Sequence, residues 1–250
     1  MAPPLIQATA LRKDHRLGDA IVPALRGVTL TIEAGEFVAI MGPSGSGKSS
    51  LLHLLGLLDR PTAGGYRLAG RAVADLCPDN RAQIRAQGIG FIFQAFNLLG
   101  RNTAIENVEL AMTYAGIPRT ERRRRAETAL TQIGLGERQH HWPGQLSGGE
   151  QQRVAIARVL AAGPRLILAD EPTGALDTAT GREIMALLQD MNRAGRTIVL
   201  VTHDPAVAAY AQRIVRMQDG RIVSDLPAAI DRGAMSMIPQ AIACPETTAS

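Results

Sequence analysis

The stretch "FVAIMGPSGSGKSS", residues 37–50, decides how this chain folds. Its first five residues, Phe37 to Met41, form an apolar run bounded by glycines. Such a run suits a strand buried on both faces of a parallel sheet. Gly42, Gly47, Lys48 and Ser49 then satisfy the spacing G-x-x-x-x-G-K-[ST]. The pattern predicts a loop over 42–47 and an apolar helix from Lys48 to about Leu58. Glycines let the backbone wrap closely around phosphate groups, and successive N–H groups point inward. The helix N-terminus adds positive potential. Lys48 is placed to reach the terminal phosphates, and the Ser49 hydroxyl to hold a magnesium ion. Among 27 basic residues only Lys13 and Lys48 are lysine. In a composition so dominated by arginine, a lysine here marks a site that needs a compact point charge rather than a planar fork.

The complement to this loop lies further along. In "LILADE", residues 166–171, four apolar residues deliver Asp170 and Glu171 at a strand's C-terminal end. That is the edge at which open α/β sheets bind ligands. Beside a phosphate loop, Asp170 suits the Mg²⁺ shell, and Glu171 suits a general base that polarises an attacking water. His203 closes the next apolar run, "TIVLVTH", at the same edge. A contact with the terminal phosphate is expected there. His53, His140 and His141 show no metal-ligand spacing and receive no role.

The fold class expected is α/β: a P-loop NTPase core with a mainly parallel sheet, an N-terminal antiparallel β part and an inserted α-helical subdomain. "VTLTIE", 28–33, alternates like a half-exposed antiparallel strand. "GIGFIFQ", 88–94, reads as a further strand. From about 95 to 164 the pattern turns helical, with capping boxes at Thr103/Glu106 and Ser147/Glu150. Gly163-Pro164 ends the last of these helices. The helix "GREIMALLQDMNRAG" separates the strands at 165–170 and 197–203. In "RIVRMQDGRIVSD", 213–225, Asp219-Gly220 suits a tight primed hairpin turn. One domain is expected over 5–225, followed by a loosely ordered tail over 226–250.

Composition narrows the function. Hydrophobic content of 46 % and charged content of 20 % are ordinary for a globular protein. No run approaches the roughly 18 apolar residues of a membrane-spanning helix. The first residues lack a secretory pattern, so a cytoplasmic location is expected. Cys77 and Cys244 read as free thiols. The net charge of +4 raises the question of nucleic acid, but 3 % aromatic residues are too few for a base-stacking platform. No nucleic-acid partner is expected. The basic run "ERRRRAE", 121–127, reads as a solvated helix face or as a docking surface for a partner or anionic lipid.

A second glycine loop, in "QLSGGEQQRVAIAR" (145–158), opens onto another helix. With it the chain resembles the ATP-binding-cassette (ABC) ATPases. "GPSGSGKS", Gln94 in "FIFQAFNLL", "LSGGE", "LILADEP", "GALD" and His203 occur in that family's order and spacing, over residues 5 to 225. The resemblance implies ATP and Mg²⁺ as cofactors. It implies that Gly42, Pro43, Ser44, Gly45, Ser46, Gly47, Lys48, Ser49 and Ser50 bind the nucleotide. Ser49, Gln94 and Asp170 would hold Mg²⁺, and Glu171, His203 and Gln94 would carry the chemistry. Two copies would pair head to tail in the presence of ATP. Leu146, Ser147, Gly148, Gly149 and Glu150 of one copy would then close over the ATP held by the other. Asp177 would lie at that interface. Glu150 stands where the family usually has glutamine, and His15 stands where an aromatic platform for adenine is usual.

"PALRGVTL", "FNLLGRNTAIENVELAMTYAGI" and "ADEPTGALD" resemble the macrolide-export and antimicrobial-peptide-export group, with the lipoprotein-release and cell-division ATPases as close relatives. This implies an ATPase subunit of a transporter, held peripherally on the cytoplasmic face of the membrane by an integral-membrane permease on a separate chain. A short permease helix would dock between the core and the 95–164 subdomain. A soluble ATPase acting on DNA or the ribosome is the alternative; such proteins usually carry two cassettes or a long coiled-coil insertion, and this chain has neither. A non-catalytic scaffold is disfavoured because Lys48, Asp170, Glu171 and His203 are all present.

Overall fold

Two sheets enclose a leucine-rich helix. The computed structural model describes residues 3–18 and 20–231. Strands β1 (Ile6–Leu17) and β2 (Ala20–Ile32) pair antiparallel, with Ile6 opposite Ile32 and His15 opposite Val22. β3 (Phe37–Met41) leads through the glycine loop into α1 (Lys48–Leu55). This helix stops three residues short of Leu58. Gly56 caps it, and Leu57 takes a left-handed φ of 57° that no helix continues. β4 (Ala63–Leu68) and β5 (Arg71–Ala72) complete a four-stranded antiparallel sheet in the order β2-β1-β4-β5. Only part of β2 was legible as a strand; the glycines and exposed residues of β4 mask any alternation.

The second sheet is the parallel one. After α2 (Pro78–Gly88) comes β6 (Ile89–Phe93), then the helices α3 (Ala104–Tyr114), α4 (Arg119–Gln132) and α5 (Gly148–Ala162). β7 (Leu166–Asp170), α6 (Thr178–Arg193), β8 (Thr197–Thr202), α7 (Pro205–Ala208), β9 (Arg213–Gln218) and β10 (Arg221–Pro227) follow. The order is β10-β9-β3-β8-β7-β6, parallel except for the β9–β10 hairpin. Asp219 and Gly220 have φ of 48° and 76°, the left-handed pair a primed turn requires.

Pleating explains why the central strands are apolar throughout. Val38 and Ile40 of β3, with Val199 and Val201 of β8, pack toward α1 and the antiparallel sheet. Phe37, Ala39 and Met41, with Ile198 and Leu200, pack on the opposite face against α5 and α6. Both faces are dry, so alternation disappears from the sequence. A third core holds the helical insertion together: Ile105, Val108 and Met112 of α3, Leu130 of α4, and Val154 of α5. Both expected capping boxes form, at Thr103/Glu106 and Ser147/Glu150. Gly163, with φ 65°, closes α5. In the basic run on α4, Glu121 pairs with Arg124 and Arg125, and Arg123 with Glu127. The two arginines hold the Glu121 carboxyl down to about 2.

The folded unit continues past the expected boundary at residue 225. β10 runs to Pro227, and 228–231 add a helical turn. Ala228 is buried in the second core, and the Asp231 carboxylate accepts two hydrogen bonds from Arg216, at 2.8 and 2.7 Å. This fork-to-carboxylate pair fixes a segment whose own sequence has no periodicity. The expected tail beyond residue 231, including Cys244, lies outside the described residues. Cys77 is exposed and free. Asp231→Ala should lower the unfolding free energy by about 1–3 kcal/mol, because it strands the Arg216 guanidinium. Urea denaturation followed by circular dichroism checks this; an unchanged midpoint would show the pair to be idle.

Candidate functional site

The loop after β3 is held by close backbone contacts. Gly47 caps α1 with φ 96°, and a Cβ built on it would lie 2.5 Å from the Ala24 carbonyl oxygen of β2. The β9–β10 turn braces the loop from behind. Gly220 N–H donates to the Ser46 carbonyl at 3.1 Å, and Arg26 N–H donates to the Gly220 carbonyl at 2.8 Å. Lys48 is 9 % exposed, and its Nζ donates to the carbonyls of Gly42 and Pro43, both at 2.8 Å. The ammonium is thus folded over the loop, with two of its three protons engaged.

Around it opens a cleft of about 700 Å³. Ser44, Gly45, Gly47, Lys48, Ser49 and Ser50 form one wall. Gln94 follows β6, Asp170 and Glu171 stand at the end of β7, and His203 follows β8. All three strands present their carboxyl ends here, because β6, β7 and β8 are parallel and in adjacent register. Glu171 has a left-handed φ of 47°, unusual for a residue with a side chain. Its Oε1 accepts from the His203 backbone N–H at 3.1 Å and lies 2.7 Å from His203 Nδ1. Its Oε2 accepts from Thr202 Oγ1 at 3.1 Å. Since a carboxylate only accepts, the imidazole proton sits on Nδ1. Burial pushes the Asp170 carboxyl upward; nearby Glu171 reinforces this, while His53 and Lys48 oppose it. A desolvated carboxylate beside the hydroxyl of Ser49 and the amide of Gln94 is an oxygen donor set suited to a hard cation. The described residues contain no all-protein cluster of histidine, cysteine and carboxylates. The missing ligands of such a cation would come from phosphate and water.

Some expected nucleotide residues sit within the loop behind the cleft surface. Gly42, Pro43 and Ser46 do not line the cleft. They shape the loop: Pro43 presents its carbonyl to Lys48, and Ser46 is 2 % exposed beneath it. His15 is exposed and does not line the cleft either; its cross-strand neighbour Val22 does, together with Pro23 and Ala24. An apolar flank therefore stands on β2 where the sequence pointed to the imidazole. His15 and Val22 are direct cross-strand partners and share one face of the sheet, and it is the β2 member of the pair that lines the cleft.

None of Leu146, Ser147, Gly148, Gly149 and Glu150 lines this cleft. Ser147 caps α5, its Oγ accepting from Glu150 N–H at 3.2 Å, while the Glu150 carboxylate accepts from Ser147 N–H at 2.8 Å. Gly149 lies against α6: a Cβ there would fall 2.4 Å from Thr180. Asp177 caps α6, accepting from Ala179 and Thr180 N–H, each at 3.0 Å. The Thr180 hydroxyl and these N–H groups hold its carboxyl below the usual range.

Sequence reasoning missed several supporting residues. Gln152 of α5 is fully buried and donates to the Pro172 carbonyl at 2.6 Å. Arg158 donates to the carbonyls of Asn97 and Phe96, at 2.8 and 3.2 Å, and burial lowers its pKa. Both Phe96 and Asn97 have left-handed φ, so Arg158 holds a strained loop just after Gln94. The one signal available was a polar residue on an otherwise apolar helical face.

Comparison with known proteins agrees with this architecture. The family model described as "ABC transporter" matches residues 25–174, more than half of the chain. The chain belongs to the ABC transporter family. It is 54 % identical over 225 residues to the "Macrolide export ATP-binding/permease protein MacB" of Hyphomonas neptunium, covering 90 % of this chain and 35 % of that protein. The protein of the same name from Sodalis glossinidius is 53 % identical, with 34 % of its length covered. The chain thus spans about a third of the curated relatives it matches. Among solved structures, a dimeric post-hydrolysis state of the ATP-binding cassette MJ0796, bound to ADP and Pi, superposes with a TM-score of 0.83 at 45 % identity. That match covers 89 % of this chain and 98 % of the other. The cbiO1 structure from Clostridium perfringens gives 0.82 at 28 % identity, covering 93 % and 92 %. This chain therefore has the fold of an ATP-binding cassette.

Gly47→Ala should destabilise the protein by about 1–3 kcal/mol, because alanine must hold a left-handed φ against the Ala24 carbonyl. Thermal unfolding checks it, and an unchanged midpoint would mean that the loop relaxes freely.

Proposed function

We propose that this chain binds and hydrolyses ATP with Mg²⁺ and drives a membrane permease by pairing with a second copy. The observation that carries the reading is that Lys48, Asp170, Glu171 and His203 meet in one cleft, while the chain's own Ser147 loop stays outside it. In this reading Lys48 leaves the Gly42 and Pro43 carbonyls for the terminal phosphates, an exchange of dipoles for full negative charge. Ser49, Gln94 and Asp170 hold Mg²⁺, which neutralises phosphate charge when bound. Glu171 takes a proton from the attacking water. Three hydrogen bonds from Thr202 and His203 fix its carboxylate in advance. His203 lines the cleft with its side chain mostly exposed, and in this reading it contacts the terminal phosphate.

The Ser147 loop, a capped helix start, suits an anion brought by another molecule. Head-to-tail pairing would complete two sites at once, with Asp177 between them. A groove of about 470 Å³ between the core and the helical insertion supports the permease contact. Leu58, Ile89, Phe91, Tyr114 and Val159 line it, with Arg85 and Arg158, an apolar floor that suits a docking helix. No helix among the described residues is long and apolar enough to cross a membrane. A cassette of this kind would lie on the cytoplasmic face, attached through its permease. The curated relatives' printed names join ATP-binding and permease functions, and macrolide export is the specific transport proposed.

Three outcomes test this. Glu171→Gln should reduce ATP hydrolysis by about 10²–10⁴ and accumulate an ATP-bound dimer, measured by phosphate release and size-exclusion chromatography. Wild-type turnover in that variant would remove Glu171 from the chemistry. Lys48→Ala should weaken ATP binding about ten- to a hundredfold in calorimetry. Finally, Lys48→Ala and Ser147→Arg proteins, each inactive alone, should regain hydrolysis when mixed, since one composite site is then intact. No recovery would show that each chain works by itself.

A further inference from the structure

Gln152 lies one turn into α5, with no part of its surface exposed. Its side-chain amide reaches the ends of two different strands. Nε2 donates to the carbonyl of Pro172, directly after Glu171, at 2.6 Å. It also lies 3.4 Å from the carbonyl of Phe93, directly before Gln94. Both partners are acceptors, so the amide must present its nitrogen to them. The Oε1 atom is buried without a partner among the described residues. A buried, unpaired amide oxygen costs about 1–3 kcal/mol. An apolar side chain of the same length would avoid that cost, so the useful part of this residue is its donor.

What the donor holds is the pair of segments that carry the proposed chemistry. The Glu171 turn is strained, with φ 47°, and is secured on one side by its own N–H bond to the Val201 carbonyl at 2.9 Å. Gln152 secures the other side through Pro172. Without it, the strand end could relax toward an ordinary φ and swing the carboxylate away from Thr202 and His203. The same nitrogen ties the root of Gln94 to that turn. Gln94 is further confined by Gly174, where a Cβ would lie 2.9 Å from its Nε2. The helix bearing Gln152 begins at Ser147, so the loop offered to a second molecule and the two strand ends share one rigid element.

We propose that Gln152 is a positioning residue for ATP hydrolysis, its amide N–H holding the carbonyls of Phe93 and Pro172 so that Gln94 and Glu171 face one point. The proposal rests on the hydrolytic reading above. It concerns the catalytic step and not nucleotide affinity, because the side-chain hydrogen bonds of Gln152 go to Phe93 and Pro172 and none goes to the phosphate loop or Lys48. Steady-state hydrolysis by the purified chain, with ATP and Mg²⁺, tests it. Gln152→Met keeps the length and removes the donor; kcat should fall about tenfold while KM for ATP stays within about twofold. Gln152→Glu adds a pH signature. Burial raises its carboxyl pKa, and only the protonated form can donate. Its activity relative to wild type should therefore rise as pH falls from about 8 to about 6. A Met variant with wild-type kcat, or with kcat/KM lost through KM alone, overturns the proposal. If Gln152→Met fails to fold, the Glu variant decides by its pH trend, and a flat ratio overturns the proposal. Wild-type hydrolysis, and its loss in Glu171→Gln, tests the underlying reading separately: should those hold while Gln152 variants behave as wild type, only the positioning role falls.

Discussion

A nearly buried ammonium governs this structure. Lys48 is folded into a loop of backbone dipoles, and every neighbouring choice serves to keep it there. The glycine at 47 is needed because β2 passes against it; the β9–β10 turn is needed because the Ser46 carbonyl must be paired. Two carbonyls accept from the ammonium, but neither carries a charge to match it. The arrangement is stable yet incomplete, and a multiply charged phosphate is the natural complement.

The sheet then determines what surrounds that charge. Because β3, β8, β7 and β6 run parallel, their carboxyl ends lie along one edge, and whatever follows each strand faces the same cleft. The adjacent Asp170 and Glu171, the histidine bonded to Glu171 and a glutamine collect there from the ends of three strands that lie far apart in the sequence. Burial acts on them unequally. Asp170 is desolvated and its carboxyl pushed up, whereas Glu171 is supplied with donors from Thr202 and His203. Asp170 therefore has few protein partners of its own among the described residues, while the Glu171 carboxylate is held in one orientation by its donors.

Helix α5 connects these parts. Its N-terminus is capped by Ser147 and lies outside the cleft, while its interior sends Gln152 to two strand ends and Arg158 to the strained pair Phe96 and Asn97. One helix thus borders the outward-facing loop, the cleft's rear wall and the floor of the apolar groove. Displacing it as a body would move all three, which is how a packed core transmits a small shift.

Much of this was legible beforehand. The glycine loop, the strands at 37–41, 166–170 and 197–202, both capping boxes and the hairpin turn could be read from residue type and spacing, because each rests on local rules of φ, pleat and capping. The antiparallel sheet was mostly hidden, since β4 owes its existence to pairing with β1, and β5 to pairing with β4, rather than to their own residues. His15 could be placed on a strand, but that its partner Val22 on β2 lines the cleft depends on the β1–β2 pairing, which no local pattern shows. Asp231 carried no signal, because its partner Arg216 stands 15 residues earlier. The sequence alone determined the chemistry on offer: a phosphate loop, a carboxylate pair and a second capped loop. Tertiary structure decided which groups share a cleft, which are excluded from it and which buried amide holds them in place, because those depend on strand order and helix packing between residues far apart in the chain.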